Sequence, residues 1–505
     1  MSFKILYLLY IAASGYLLIL VSSTRPDVFY SADGGMKFMV VRQICAGEDF
    51  RYISHTQPEW VEKIWAQGYF PIREGYAVPG PRGNLFVFAP SFQIISAYFY
   101  HTFGYRGLYI IPFLSTLILW LWFILTAKKM NFSTGEIAIM FFVLAFCSPL
   151  TLYGAVYWEH TLAVLLLFNG VFFIVNPPGQ PLQAAILGCI SGLAAWIRPE
   201  SLLMNMLLLG AVGLINCKKI SKAHGCFALG MLAGTASFLI FNKLEYDAYF
   251  GVHGSQVLGN KDYFKNLRQV GTNIHWINWL LIKYFSIVVL LVPVLWAWLK
   301  FRWPLSTRTR ALILVIIAFC IFAPFLFPNE GGKQWGPRFF LPLIPIVILV
   351  LFSAYKEWKN LDWGRYKWPL LVCAVLAIGY NGVLNTFVEA GHLRNDNLNR
   401  VLLALDYLRQ DPGNIAVVNS PLLTMELGSL YREKNFFLAS DSASLEKLIN
   451  LLRQQGADHF VYINADGLPA GIAGLLSSHH VQLVNKGSYR VCLFPLVPEA
   501  LQAYK

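Results

Sequence analysis

Long apolar stretches separated by short polar ones run through roughly the first 390 residues. Runs of about 18 to 20 residues recur, long enough for a helix to cross about 30 Å of hydrocarbon. The pattern predicts spans near residues 5–22, 86–103 or 107–127, 136–153, 160–175, 183–197, 201–216, 225–241, 278–299, 311–327, 339–355 and 369–387. The run at 86–103 opens with Ala89-Pro90 and is broken at Gly104, so it reads as a juxtamembrane or re-entrant helix, with 107–127 as the second span. About eleven crossings remain. The run that follows Lys4 and ends at Val21 has no good small-x-small cleavage site behind it and reads as an uncleaved first span.

The pattern changes near residue 390. Helical periodicity at Leu398–Arg409 and Ser444–Gln455 alternates with short β-branched runs at Ile415–Val418, His459–Ile463 and Val491–Phe494. Strand alternating with helix predicts a small α/β layer domain. The expected fold class is therefore an α-helical polytopic membrane protein with juxtamembrane helices in a first outer loop, 23–105, and a C-terminal α/β domain. The expected division is 1–389 for the transmembrane domain and 390–505 for an extracytoplasmic domain.

Composition agrees with this pattern: 56% of the 505 residues are hydrophobic and 13% are charged, against about 25% charged in soluble domains. The net charge of +13 comes largely from short loops, at Lys128-Lys129, Lys218-Lys219-Lys222, Lys300 to Arg310, and Lys356 to Lys367. All fall on one side of the alternation, which the positive-inside rule makes cytoplasmic. No basic stripe interleaves with stacking aromatics, so nucleic acid is excluded as a partner. The 8 Cys form no CxxC and no zinc-spaced cluster. The tail carries neither GxGxxG nor a P-loop.

Four polar constellations gather on the opposite, outer side, where an ionisable group at membrane depth marks a candidate site. One is Asp33-Gly34-Gly35-Met36-Lys37, beyond the first span, where Asp33 could simply cap a helix. The next is Tyr157-Trp158-Glu159-His160, at a short outer hairpin whose aromatics could be interface anchors. A third is Arg198-Pro199-Glu200, in which the two charges could form a plain ion pair. In the fourth, Gly331-Gly332-Lys333-Gln334-Trp335-Gly336-Pro337-Arg338, glycines deliver a Lys, a Trp and an Arg to the start of a membrane helix. Snorkelling alone would account for Arg338. A phosphate, however, would find a bidentate partner and a helix N-terminus there.

In this order, the segments resemble the GT-C superfamily of membrane glycosyltransferases. Asp33 resembles its first-loop acid, FAPSFQIISAYFYHTFG (88–104) its juxtamembrane helix, and SPLTLYGAVYWEHTLAVLLL (148–167) the segment with its second acid, here Glu159. LGCISGLAAWIRPESLL (187–203) is similar to its small-residue helix ending in Arg-Pro-Glu. WGPRFFLPLIP (335–345) is similar to its Gly-x-Arg-Tyr-x-x-Pro segment, with Phe339 replacing the usual Tyr. The chain is also similar to a bacterial subgroup bearing DGG-x-K in the first loop. Together these cover about 370 residues.

The resemblance implies a sugar transferase of EC class 2.4, moving a hexose or pentose from a polyprenyl-phosphate carrier to an acceptor hydroxyl, with inversion. Partners would be the carrier, a glycan, lipid or protein acceptor, and membrane lipids. The chain would lie in a bacterial plasma (inner) membrane, with the active site outside. Asp33 would be the base, with Glu159 also catalytic, and Arg338, Lys333 and Arg198 would bind the carrier phosphate. His160, Trp335, Glu200 and Lys37 would bind substrate, Trp335 by stacking on a sugar ring. Asp33 is a lone acid rather than part of an Asp-x-Asp pair, so no metal is assigned. No cofactor is expected, and a divalent cation stays open. A transporter or flippase of a lipid-linked glycan is the rival reading. Against it stand the lack of an internal repeat and the gathering of charges at one rim.

Overall fold

The computed structural model describes residues 3–53, 57–72, 75–216, 220–252, 254–255, 267–326, 335–336, 338–359, 361, 366–465, 471–472, 474, 484–486 and 489–496. The chain is mostly helical, with several apolar helices and a small C-terminal sheet. It forms two compact units, Met1–Val21 with Tyr109–Gly391, and Ser22–Leu108 with His392–Lys505. The loop 23–105, assigned above to the membrane domain, thus packs with the tail. The reason is chemical. Its own buried apolar residues, among them Met36, Met39, Trp65 and Phe86, share one core with Val417, Phe436 and Phe460.

In the helical unit, Lys4–Ser22, Lys222–Tyr246 and Thr307–Leu326 are each long and apolar enough to cross a membrane. His160–Val175, Pro181–Ile197 and Ser201–Ile215 are apolar but shorter. Several helices turn large apolar side chains outward: Leu8, Ile19, Leu229 and Leu376 are all exposed. Such a face suits hydrocarbon, where the helix already satisfies its own backbone. The helices Pro181–Gly192 and Lys222–Tyr246 meet through glycines. A Cβ at Gly188 would stand 2.0 Å from the Phe227 carbonyl oxygen, and one at Gly230 would stand 2.1 Å from that of Ala185. Small residues four apart on both helices allow the backbones to touch, the usual means of packing where lipid removes the hydrophobic drive.

The expected straight span at 278–299 is instead bent by 101° between Val270–Tyr284 and Ser286–Phe301. Phe285 leaves the helical region there, with φ −147 and ψ 60. The carbonyls released by the bend find side-chain donors: Asn381 donates to Lys283 at 3.2 Å and Asn385 to Tyr284 at 3.0 Å. The expected span at 136–153 stops at Phe146 and resumes as the short turn Leu150–Gly154. Pro149 intervenes, and the Ser148 hydroxyl donates back to the Leu144 carbonyl at 2.6 Å.

Among the described residues, the second unit holds two sheets. A hairpin pairs β1 (Ala77–Gly80) with β2 (Gly83–Phe86). Five strands, β3 (Ile415–Val418), β4 (Asn435–Leu438), β5 (His459–Asn464), β6 (Val484–Lys486) and β7 (Tyr489–Pro495), lie in the order β4-β3-β5-β7-β6. β3 pairs parallel with β4 and β5, whereas β7 runs antiparallel to both β5 and β6. Every residue of β3 is buried, as expected of a central parallel strand covered on both faces. The helix Ser442–Gln454 links β4 to β5 and starts on Asp441, whose carboxylate accepts from Ser444 N at 2.8 Å.

Candidate active site

In the helical unit, Arg198 joins segments that are far apart in sequence. It follows the turn Ala194–Ile197 and is extended, with φ −145 and ψ 114, because Pro199 bars the helical region to the residue before it. That turns its guanidinium toward the start of the His160–Val175 helix. Nη1 donates to Glu159 Oε1 at 2.9 Å and lies 2.7 Å from His160 Nε2. Nη2 donates to Glu200 Oε1, also at 2.9 Å. One guanidinium therefore answers two carboxylates, all three side chains being at most 14% exposed.

Phe339 brings the fourth constellation to the same place. Its ring has the Arg198 guanidinium 5.6 Å from its centroid and that of Arg338 5.5 Å away. Both fall within cation–π range. A small pocket opens beside them. Its polar lining comes from His160, Arg198, Glu200, Ser201 and Arg338, and its apolar lining includes Val164, Leu167, Met204 and Phe319.

Trp335 is not available as a sugar platform. Only 1% of it is exposed, and its ring lies 5.7 Å from Tyr153 and 6.0 Å from Trp158. Those contacts make it a packing group that braces the chain ahead of Arg338. Lys333 lies outside the described residues, as do the loop residues Lys218 and Lys219.

Asp33 belongs to the second unit. It is the second residue of the helix Ala32–Cys45, and Ser31, not Asp33, occupies the cap position. A carboxylate in the first turn is favoured by the partial positive charge of the helix start. Asp33 is 7% exposed and accepts a hydrogen bond from the Tyr76 hydroxyl at 3.0 Å. Lys37, one turn on and 2% exposed, sets its ammonium 4.7 Å over the ring of Phe88. Phe88 in turn lies 5.9 Å from the ring of Tyr76. Sequence reasoning missed Tyr76, which stands in no motif. Among the described residues, no three His, Cys, Asp or Glu side chains are grouped to hold a metal ion.

No protein-family model matches this chain, and no curated protein does. Solved structures do. The first is ArnT from Cupriavidus metallidurans bound to undecaprenyl phosphate, with 12% identity over 98% of this chain and 99% of that one, at a TM-score of 0.59. The chain shares the fold of that structure. The apo state of the same ArnT matches at 13% identity, over 98% of both chains, with a TM-score of 0.58. The arabinofuranosyltransferase AftD from Mycobacteria is matched over 42% of its length, at 14% identity and a TM-score of 0.47. Because both ArnT matches run nearly end to end, the shared fold takes in the C-terminal sheet as well as the helices.

Proposed function

We propose that this chain is a membrane glycosyltransferase that moves a sugar from a polyprenyl-phosphate carrier to an acceptor hydroxyl, inverting the anomeric carbon. The observation that carries this reading is the make-up of the pocket in the helical unit. The Arg338 guanidinium and a hydrocarbon wall line one cavity, as a phosphate esterified to a lipid tail would need. The end-to-end likeness to a structure solved with undecaprenyl phosphate supports the same ligand class.

Arg338 is assigned to the carrier phosphate. Arg198 is the poorer candidate, since its charge is already matched by Glu159 and Glu200 and an incoming phosphate would meet both carboxylates. Its part is to hold Glu159 and His160 in place. In the reaction, the acceptor oxygen bonds to the anomeric carbon while the bond from that carbon to the phosphate oxygen breaks. The electron pair leaves with the phosphate, steadied by Arg338. The acceptor proton passes to Asp33, a base contribution of about 10²- to 10⁴-fold. The site is assigned to the extracytoplasmic face of a bacterial plasma membrane, from the loop charges. The acceptor is a glycan, a lipid or a protein.

Two variants test this. Asp33→Asn should abolish transfer in protein that still inserts and folds; full activity in that variant removes Asp33 as the base. Arg338→Ala should lose photocrosslinking to a diazirine-bearing polyprenyl phosphate, and undiminished crosslinking removes Arg338 from the phosphate site. The bent helix pair at 270–301 favours a flippase as the second reading, because transporters use broken helices. Carrier translocation by reconstituted Asp33→Asn vesicles would support the flippase over the transferase.

A further inference from the structure

The helix that carries Asp33 is seated on the C-terminal segment by two glycines. A Cβ at Gly35 would fall 1.7 Å from the Met425 carbonyl oxygen. One at Gly428 would fall 2.7 Å from the Gly35 carbonyl oxygen and 2.9 Å from its carbon. The obstructing atoms are backbone on both sides, so neither position admits a side chain unless one of the two segments moves. The next turns of the helix continue the seating: Met36, Met39 and Val40 are buried in the core that includes Val417, Phe436 and Tyr462. Asp33 stands two residues before the crossing and Lys37 two residues after it. Within one turn, Asp33 is also tied by Tyr76.

Burial alone would have allowed larger residues at both crossings; backbone contact does not. Sub-ångström placement of a base matters because misplacing a reacting group by about 1 Å costs on the order of a hundredfold in rate. We propose that the C-terminal domain is a positioning element of the transfer reaction, with the Gly35–Gly428 crossing fixing the backbone that presents Asp33. This rests on the reading of Asp33 as the base. It gives Gly35, and the tail around Gly428, a role that no sugar or carrier contact has to supply.

The test uses the full chain, purified in detergent. Gly35→Ala and Gly428→Ala are compared with Phe460→Ala, which opens the same core at β5, and Gly474→Ala, which meets nothing within 4 Å. Turnover is followed with radiolabelled polyprenyl-phosphate sugars extracted from the source membranes. Carrier binding is followed by photocrosslinking to diazirine-bearing undecaprenyl phosphate. Both crossing variants should lose about a hundredfold in kcat, with KM and crosslinking unchanged. Phe460→Ala should lower thermal stability while its folded fraction keeps its kcat, and Gly474→Ala should be silent. If either glycine variant does not fold, Met36→Ala, which trims the seat without a clash, decides by the same kcat-against-KM split. Wild-type kcat in the folded crossing variants, or in Met36→Ala, overturns the proposal. Full activity of Asp33→Asn would instead sink the assignment of the base, a result that the glycine variants do not mimic.

Discussion

Arg198 Nη1 lies 2.7 Å from His160 Nε2. A guanidinium carries only donors, so Nε2 is the acceptor and the ring proton rests on Nδ1. The same nitrogen also serves Glu159, and its twin serves Glu200. Removing Arg198 would leave two largely buried carboxylates without their shared cation. Arg198→Ala should therefore cost about 3–5 kcal/mol of stability, seen as a lower Tm in detergent. Arg198→Lys should recover only part of it, because a point charge cannot span both carboxylates as a planar fork does. An unchanged Tm in Arg198→Ala would show that the cluster is not a structural keystone.

Tyr76 is the donor to Asp33 Oδ1 at 3.0 Å. Hydrogen bonds to charged groups contribute about 1.5–3 kcal/mol. If the bond orients the base in the transition state, Tyr76→Phe should lower kcat by about ten- to a hundredfold. KM for the carrier should stay put, since the phosphate contact is assigned elsewhere. A change confined to KM would assign Tyr76 to substrate binding instead.

The glycine crossing in the helical unit gives a prediction about packing alone. Gly188→Val or Gly230→Val would push a side chain into a carbonyl oxygen about 2 Å away. Overpacking of this kind costs about 1–3 kcal/mol, occasionally more. Less folded protein should appear in the membrane fraction, with a lower Tm. Gly225→Val, where nothing lies within 4 Å, should be tolerated.

Acid should weaken the second unit through Asp27. Burial pushes its carboxyl up, but hydrogen bonds and charges from Arg25 and Arg409 more than offset this and hold it below the usual carboxylate range. A folded pKa below the unfolded one stabilises the protein above the unfolded value, about 4. That stabilisation is lost as pH falls through the folded value. Tm should therefore drop below about pH 4 by less in Asp27→Asn than in wild type. Parallel curves for the two proteins would rule out Asp27 as a source of the acid sensitivity.

Local composition is enough to mark many of the elements. Apolar length marks the helices at Lys4–Ser22, Lys222–Tyr246 and Thr307–Leu326. β-branched runs mark β3, β5 and β7, although β4, with its Asn435-Phe436-Phe437-Leu438, gave no alternation to read. Motif order also singled out Glu159, His160, Arg198, Glu200 and Arg338, which the fold gathers around one pocket and its Arg198 cluster.

Packing between distant segments set the remainder. It joined the loop 22–108 to the tail, bent the chain at Phe285, buried Trp335 and brought Tyr76 to Asp33. Hydropathy and periodicity belong to a few neighbouring residues and survive in the bare string. A hydroxyl 43 positions from its carboxylate, or a glycine that meets a carbonyl almost four hundred residues away, is fixed by how separate segments pack. That packing is a property of the whole chain, and no local window contains it.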